Sequence, residues 1–594
     1  MSYSTSIEEE GNLMRAMGEH CVCAASLKDL GPGGCLVVQL EGLTLALFRV
    51  EDRVHAVDNR CPHLGFPLSR GSVCDGILTC PWHHARFDLE SGGTFDPWAD
   101  DVQSYSVELR GDEVWLDLSP AADRRESSLG RLRQGLERNI PLVLGKSVLS
   151  LLSAEGDPLE AFRLGLGFGA RYRQVGWGPG LTILTCMARM LPHLRPDDRA
   201  RALCHGLSAV ADECAGSAPR HPVATLPGAA SSWERLGFWF RQFVEVRDAE
   251  GAERCLATAV EAEMPPRQVA EMLFTAATDH RYVQTGHVVD FTNKAFEALD
   301  LAGWENAGIV LTSLTPAYAG ASRMEESNAW RHPVDLVALL EGAFDELPAA
   351  VAEGGRNGAD RPPHPDLVPV LLSDRPSDIL GALLEALRRG CSWDVVAGAV
   401  THAAALRIAR LHTSNEFGDW DRALHTFSFA SAIQRGLQRA GSASLLRGVM
   451  DAAISVYLDR FLNTPPARLP ECPVPAGGAP ALLAQVPRLL DQRQQVNAAG
   501  ALVSAYLSMD GDVGPMVSAL AANLLREDRD FHTIQALEAA FTHLSALPGT
   551  PAGADLLVAA ARYLAAHSPT VRSHEQNFSV AERLHRGERL YEEE

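Results

Sequence analysis

A small all-β domain followed by a large all-α domain of stacked helix pairs is the architecture the sequence predicts. Three observations point there. Between Ala25 and Leu118 apolar residues alternate with polar ones in short runs broken by Gly and Asp, as in GGCLVVQLEGLTLALFRVEDRVHAVDNR and SYSVELRGDEVWLDL. Such alternation marks antiparallel strands. From Leu129 the apolar spacing becomes helical, in PLEAFRLGLGF, GLTILTCMARMLPHL, RARALCHGLSAVADECA, RQVAEMLFTAA, WDVVAGAVTHAAALRIARL and SLLRGVMDAAISVYLDRFL. The polar, Pro-containing LSPAADRRESS separates the two regimes. The expected division is therefore a β domain over 1–118, a linker over 119–128 and a helical domain over 129–594.

A chain of 594 residues exceeds what one core usually serves. Lys and Arg number 53 against 75 Asp and Glu, a formal charge of −22. That balance argues against a nucleic-acid or anionic-membrane partner. The first twenty residues carry no apolar leader, and no uninterrupted apolar run is long enough to span a bilayer, so a cytoplasmic location is expected. Twelve cysteines are too sparse for a disulfide scaffold. No glycine-rich dinucleotide fingerprint or phosphate loop appears.

Three helical segments are self-similar: GHVVDFTNKAFEALDLAG (286–303), LHTFSFASAIQRGLQRAG (424–441) and FHTIQALEAAFTHL (531–544). Each opens with a histidine and follows another helix, which suggests stacked helix pairs of the α-solenoid kind.

The densest chemistry lies in Cys61-Pro62-His63-Leu64-Gly65 and, sixteen residues after His63, Cys80-Pro81-Trp82-His83-His84. Two thiolates and two imidazoles from two loops suit a [2Fe–2S] centre with mixed ligation, and zinc is the chemical alternative. With Pro67-Leu68-Ser69, Gly71 and Phe87-Asp88 beside them, residues from about 20 to 118 resemble a Rieske domain of the ferredoxin and ring-hydroxylating-oxygenase type. The resemblance implies that Cys61 and Cys80 hold one iron and His63 and His83 the other. Phe66 and Trp82 stand where the respiratory type has its disulfide, and Ala85 and Phe87 where it has hydroxyl donors. Fewer hydrogen bonds to sulfur disfavour the reduced cluster, so a potential of about −150 mV is expected.

The compact D-x2-H-x4-H arrangement of an ordinary Rieske oxygenase is missing from the rest of the chain. Stretches such as DHRYVQTGHVVDF and HTFSFASA are instead similar to the questin-oxidase-like family, which implies a helical oxidase. On the residues alone, the second-site candidates are His280 and His402 near the ends of first helices, His412 in the loop after one, and His287, His425 and His532 opening the next. A helix N-terminus favours a neutral, metal-ligating imidazole. Glu416, Asp419 and Asp421 offer a carboxylate for non-haem iron. Caps or satisfied core histidines remain the structural alternative. Tyr172, Trp177, Trp239 and Phe240 are candidates to line a substrate pocket or to pack the core.

These readings combine into an iron-dependent oxygenase of non-classical type. An NAD(P)H-dependent reductase or a ferredoxin reduces the [2Fe–2S] cluster, and the helical domain activates O2 against a small organic substrate. An electron-transfer module or a redox sensor, its helical half docking a partner, is the alternative.

Overall fold

The computed structural model describes residues 21–119, 124–153, 157–227, 232–357, 367–470, 477–509, 512–588 and 590. The β region contains nine strands: β1 (Cys21–Ser26), β2 (Cys35–Leu40), β3 (Leu43–Val50), β4 (Arg53–Asp58), β5 (Ser72–Cys74), β6 (Ile77–Thr79), β7 (Arg86–Asp88), β8 (Ser104–Arg110) and β9 (Glu113–Asp117). Six form an antiparallel sheet in the order β1-β9-β8-β4-β3-β2, and β5-β6-β7 form a second. Turn chemistry sets the hairpins. Glu41-Gly42 and Asp75-Gly76 both have positive φ at each residue, the pairing that a tight hairpin twist demands.

One core, including Leu45, Leu47, Val114 and Leu116, lies on one side of the long sheet. A second gathers Phe48, Val57, Leu68, Leu78 and Phe87 with Cys61 and Cys80. The two loops that carry the cysteines thus rest on a packed floor.

Everything from Arg124 onward is helical or connecting loop among the described residues, with consecutive helices packed as pairs: Pro179–Met190 on Pro196–Cys214, Trp233–Glu245 on Ala249–Glu261, Trp393–Ala409 on Phe417–Ala440, and Phe531–Ala546 on Pro551–Ala566. Local capping sets several starts. Asp157, Ser232, Asp248, Ser392, Asp530 and Thr550 each accept a backbone N–H of the first turn. No described helix is long and apolar enough to cross a membrane.

The boundary differs from the expected 118/129. Compact units comprise residues up to Gln134 together with those from Ser579 on, and Gly135–Phe578. Of the expected linker, 120–123 lie outside the described residues, and Arg124 already starts a helix ending at Arg138. Its Arg131 donates to the carbonyls of Pro97 and Ala99 and pairs with Asp100 at 3.2 Å, which ties these helical turns to the β domain. Charge in LSPAADRRESS reads as solvated linker, whereas its residues from Arg124 on already belong to that helix.

Candidate functional sites

In the β domain two loops repeat one backbone design. Cys61 N–H donates to Phe66 O (2.8 Å) and Gly65 N–H to Cys61 O (2.7 Å). Cys80 N–H donates to Ala85 O (2.8 Å) and His84 N–H to Cys80 O (3.0 Å). Four residues after each cysteine the chain turns left-handed, at Gly65 (φ 84°) and His84 (φ 62°). His84 therefore serves the turn. Each loop thereby presents one buried thiol and one imidazole to the same spot.

Cys61 and Cys80 are 2% and 1% exposed, and their side chains hydrogen-bond each other. That bond raises the Cys61 thiol and lowers Cys80, while burial raises both. Backbone N–H groups of His63 and Leu64 point at the Cys61 sulfur, and those of Trp82 and His83 at Cys80, which favours thiolate in each. The His63 and His83 rings lie 4.9 Å apart, edge to face. Two sulfurs aimed at each other and two imidazoles side by side fit a [2Fe–2S] cluster held by two Cys and two His. The Phe66 and Trp82 rings lie 5.5 Å apart, tilted by 38°, and Ala85 and Phe87 are buried.

Comparison with known proteins decides the family. Residues 20–106 match the Rieske [2Fe-2S] domain. Over 104 residues the chain is 35% identical to the ferredoxin component of the naphthalene 1,2-dioxygenase system of Pseudomonas aeruginosa, covering 100% of that protein and 17% of this chain. This chain belongs to the Rieske family. Human apoptosis-inducing factor 3 is 29% identical over 181 residues, which is 30% of this chain and 28% of that protein. The ferredoxin of carbazole 1,9a-dioxygenase from Nocardioides aromaticivorans IC177 aligns with 28% identity over 17% of this chain and all of its own, at a TM-score of 0.17. The Rieske domain is thus related to ferredoxin components of oxygenase systems.

The helical unit assembles a second cluster from the three self-similar segments. His287 begins the helix His287–Ala302, and His532 is the second residue of Phe531–Ala546. His425 differs from the expected helix start. Its helix begins at Phe417, capped reciprocally by Glu416 and Asp419, so His425 sits two turns inside, beyond the reach of the N-terminal dipole. His425 Nε2 lies 3.0 Å from Nε2 of both His287 and His532. The three ligand atoms fall within 4.8 Å of one another.

Burial and the two neighbouring imidazoles push His425 down to about 4, and burial lowers His532. Near neutral pH both rings offer lone pairs. The His425 ring also hydrogen-bonds the Asp421 carbonyl, which leaves Nε2 to face its partners. Three nitrogens converging in this way exceed what shared protons can satisfy, and a cation satisfies all three.

Three of the candidate histidines therefore meet, and the others have partners of their own. His280 Nδ1 is 2.8 Å from Glu325, and its Nε2 is 3.2 Å from Glu245. His402 pairs with Asp555 at 2.9 Å, and His412 Nδ1 lies 2.8 Å from the Ser414 hydroxyl. Glu416 is spent on its cap. Of the carboxylates expected from the sequence, Asp421 is the one beside the triad. Burial opposes its ionisation, but hydrogen bonds from His567 and Tyr563 hold it below the usual range.

Sequence reading missed Asp290. It is 1% exposed, with Oδ2 at 3.6 Å from His287 Nδ1, and the Gln535 amide donates to its other oxygen. The spacing His-x-x-Asp, one helical turn, was the available signal.

A cavity of about 330 Å³ opens beside His425. Tyr282, Met324, Trp330 and Leu458 give it an apolar wall, and Asp459 a polar pole. Burial pushes Asp459 up to about 6, and Arg422 Nε donates to it at 3.1 Å. The chain enters His287 through left-handed residues at Tyr282 (φ 43°), Gln284 (49°), Thr285 (53°) and Gly286 (94°). Strain of this kind concentrates at working sites. The aromatic candidates lie elsewhere: Trp177 and Phe240 are buried, Tyr172 stacks on Phe168 and Arg235 covers Trp239.

Proposed function

We propose that this protein is an oxidoreductase whose Rieske domain carries electrons and whose helical unit oxygenates a small organic substrate at iron held by His287, His425 and His532. When bound, the [2Fe–2S] cluster supplies single-electron transfer and the iron supplies O2 activation. Cys61, Cys80, His63 and His83 hold the first. The observation that carries the reading is the convergence of three Nε2 atoms beside a cavity, in a chain that also carries a Rieske domain. Electrons delivered by a Rieske domain need an acceptor, and these three histidines could hold one. A reductase or ferredoxin is the electron donor.

In this reading the residues have separate tasks. Asp421 O fixes the His425 ring, Asp290 steadies His287, and the apolar wall excludes water from the substrate. The test is a single turnover. Dithionite-reduced protein mixed with O2 should lose its Rieske paramagnetic signal rapidly, and the His425→Ala variant should keep it far longer. Equal decay in both, or stoichiometric zinc at the triad, would overturn the reading.

A further inference from the structure

The short helical turn Asp459–Asn463 also lines a second cavity, of about 390 Å³. Arg407, Arg410 and Arg460 line it, and its one carboxylate is the exposed Asp374. In a chain with a formal charge of −22, three arginines together without an ion pair among the described residues need a reason.

None of the three makes an ion pair with a carboxylate among the described residues, and the buried Asp459 acts on Arg407 only through its charge. Arg407 is 5% exposed and donates to neutral acceptors alone: Val456 O (3.1 Å), Asn463 Oδ1 (3.2 Å) and Leu372 O (3.1 Å). Arg460 donates to Tyr457 O at 3.0 Å and lies over the Tyr457 and Phe461 rings, at 3.8 and 4.0 Å. The half-buried Arg410 guanidinium makes no hydrogen bond or ion pair among the described residues. The Ser373 hydroxyl, on the same lining, is buried with no hydrogen-bond partner. Burial lowers Arg407 to about 10, and Arg410 and Arg460 push the same way against Asp459.

A buried cation with like charges nearby is costly until an anion joins it. Guanidinium groups and a hydroxyl around one space match the acceptor geometry of a phosphate or carboxylate. At the rim Phe461 is 67% exposed, a ring face open for stacking. We propose that this cavity binds an organic oxyanion, a phosphate monoester or carboxylate on a planar ring, with Arg407, Arg410 and Ser373 on the oxyanion and Phe461 against the ring.

Calorimetry on the full chain tests this with inorganic phosphate, adenosine 5′-monophosphate and benzoate, each at low and high salt. At least one ring-bearing probe should bind more tightly than phosphate, and salt should weaken it. Arg410→Ala should weaken that probe by about tenfold, since a charge-assisted contact is lost. Among the described residues the Arg410 guanidinium has no partner to lose; should that variant still misfold, Ser373→Ala, expected to weaken the same probe, replaces it. Phe461→Ala should weaken the ring-bearing probe and leave phosphate unchanged. No heat with any probe at millimolar concentration, or affinities unchanged by these substitutions, would overturn the proposal. Neither iron nor turnover enters the measurement, so its failure leaves the reading of the histidine site standing.

Discussion

His425 is the residue on which the helical site turns, because its Nε2 is the atom both other histidines approach. Behind it, Asp290 Oδ2 lies 3.6 Å from His287 Nδ1, on the ring edge away from the three Nε2 atoms. Asp290→Asn keeps the shape but removes the charge, so metal retention against a chelator should fall by about tenfold while stability to denaturant changes little. Unchanged retention would return Asp290 to a packing role with Gln535. At this scale the sequence pointed to candidate ligands in two ways. Cys61, His63, Cys80 and His83 announced themselves through spacing within short loops. His287, His425 and His532 emerged from aligning three segments, which works because each helix repeats one face. His280, His402, His412 and Glu416 looked equally suitable, but position near a helix end does not say which face a side chain joins. Glu325, Asp555 and Ser414 claimed the three histidines and the helix cap claimed Glu416, through contacts that no local pattern reports.

Among the elements, the turn before His287 is the most constrained. A Cβ on Gly286 would sit 2.9 Å from Phe429 Cβ at a φ of 94°. Gly286→Ala should therefore cost about 2 kcal/mol and displace His287, seen as a lower denaturation midpoint with weaker metal retention. The three histidine helices also bury polar faces. On one, Lys294 sits between Glu297 (2.9 Å) and Glu538 from the His532 helix. Such residues read from sequence as a solvated stripe, which is why the helices were legible and their buried faces were not. His543 belongs to the same interior, 7% exposed and 2.8 Å from the Ser431 hydroxyl, and burial lowers it to about 4. The unfolded chain protonates this histidine near pH 6.5. Its stabilising effect is therefore whole above that pH and shrinks as pH falls toward 4, by on the order of 3 kcal/mol. Asp451, raised by burial to about 7, works in the opposite sense, so the informative quantity is a difference. Wild type should lose stability relative to His543→Gln between pH 6.5 and 4, measured by denaturant titration; a flat difference would mean that His543 is already protonated in the fold.

At the scale of the whole molecule, two designs share one chain. The β region followed from alternation and hairpin turns, and its strands match that reading from Cys35 to Asp117, whereas β1 starts at Cys21, ahead of the Ala25 where the alternation was read. The helical region followed from periodicity and caps. Its boundary did not, because Arg131 ties the first helix to the β domain through partners remote in sequence. What joins the two designs in function is the claim that the helical unit holds a metal of its own, and iron per chain tests it most directly. Protein reconstituted with iron and sulfide should carry iron beyond the two atoms of the cluster. His425→Ala should lose that excess and keep the full Rieske paramagnetic signal. Iron at two per chain in both proteins would contradict the account.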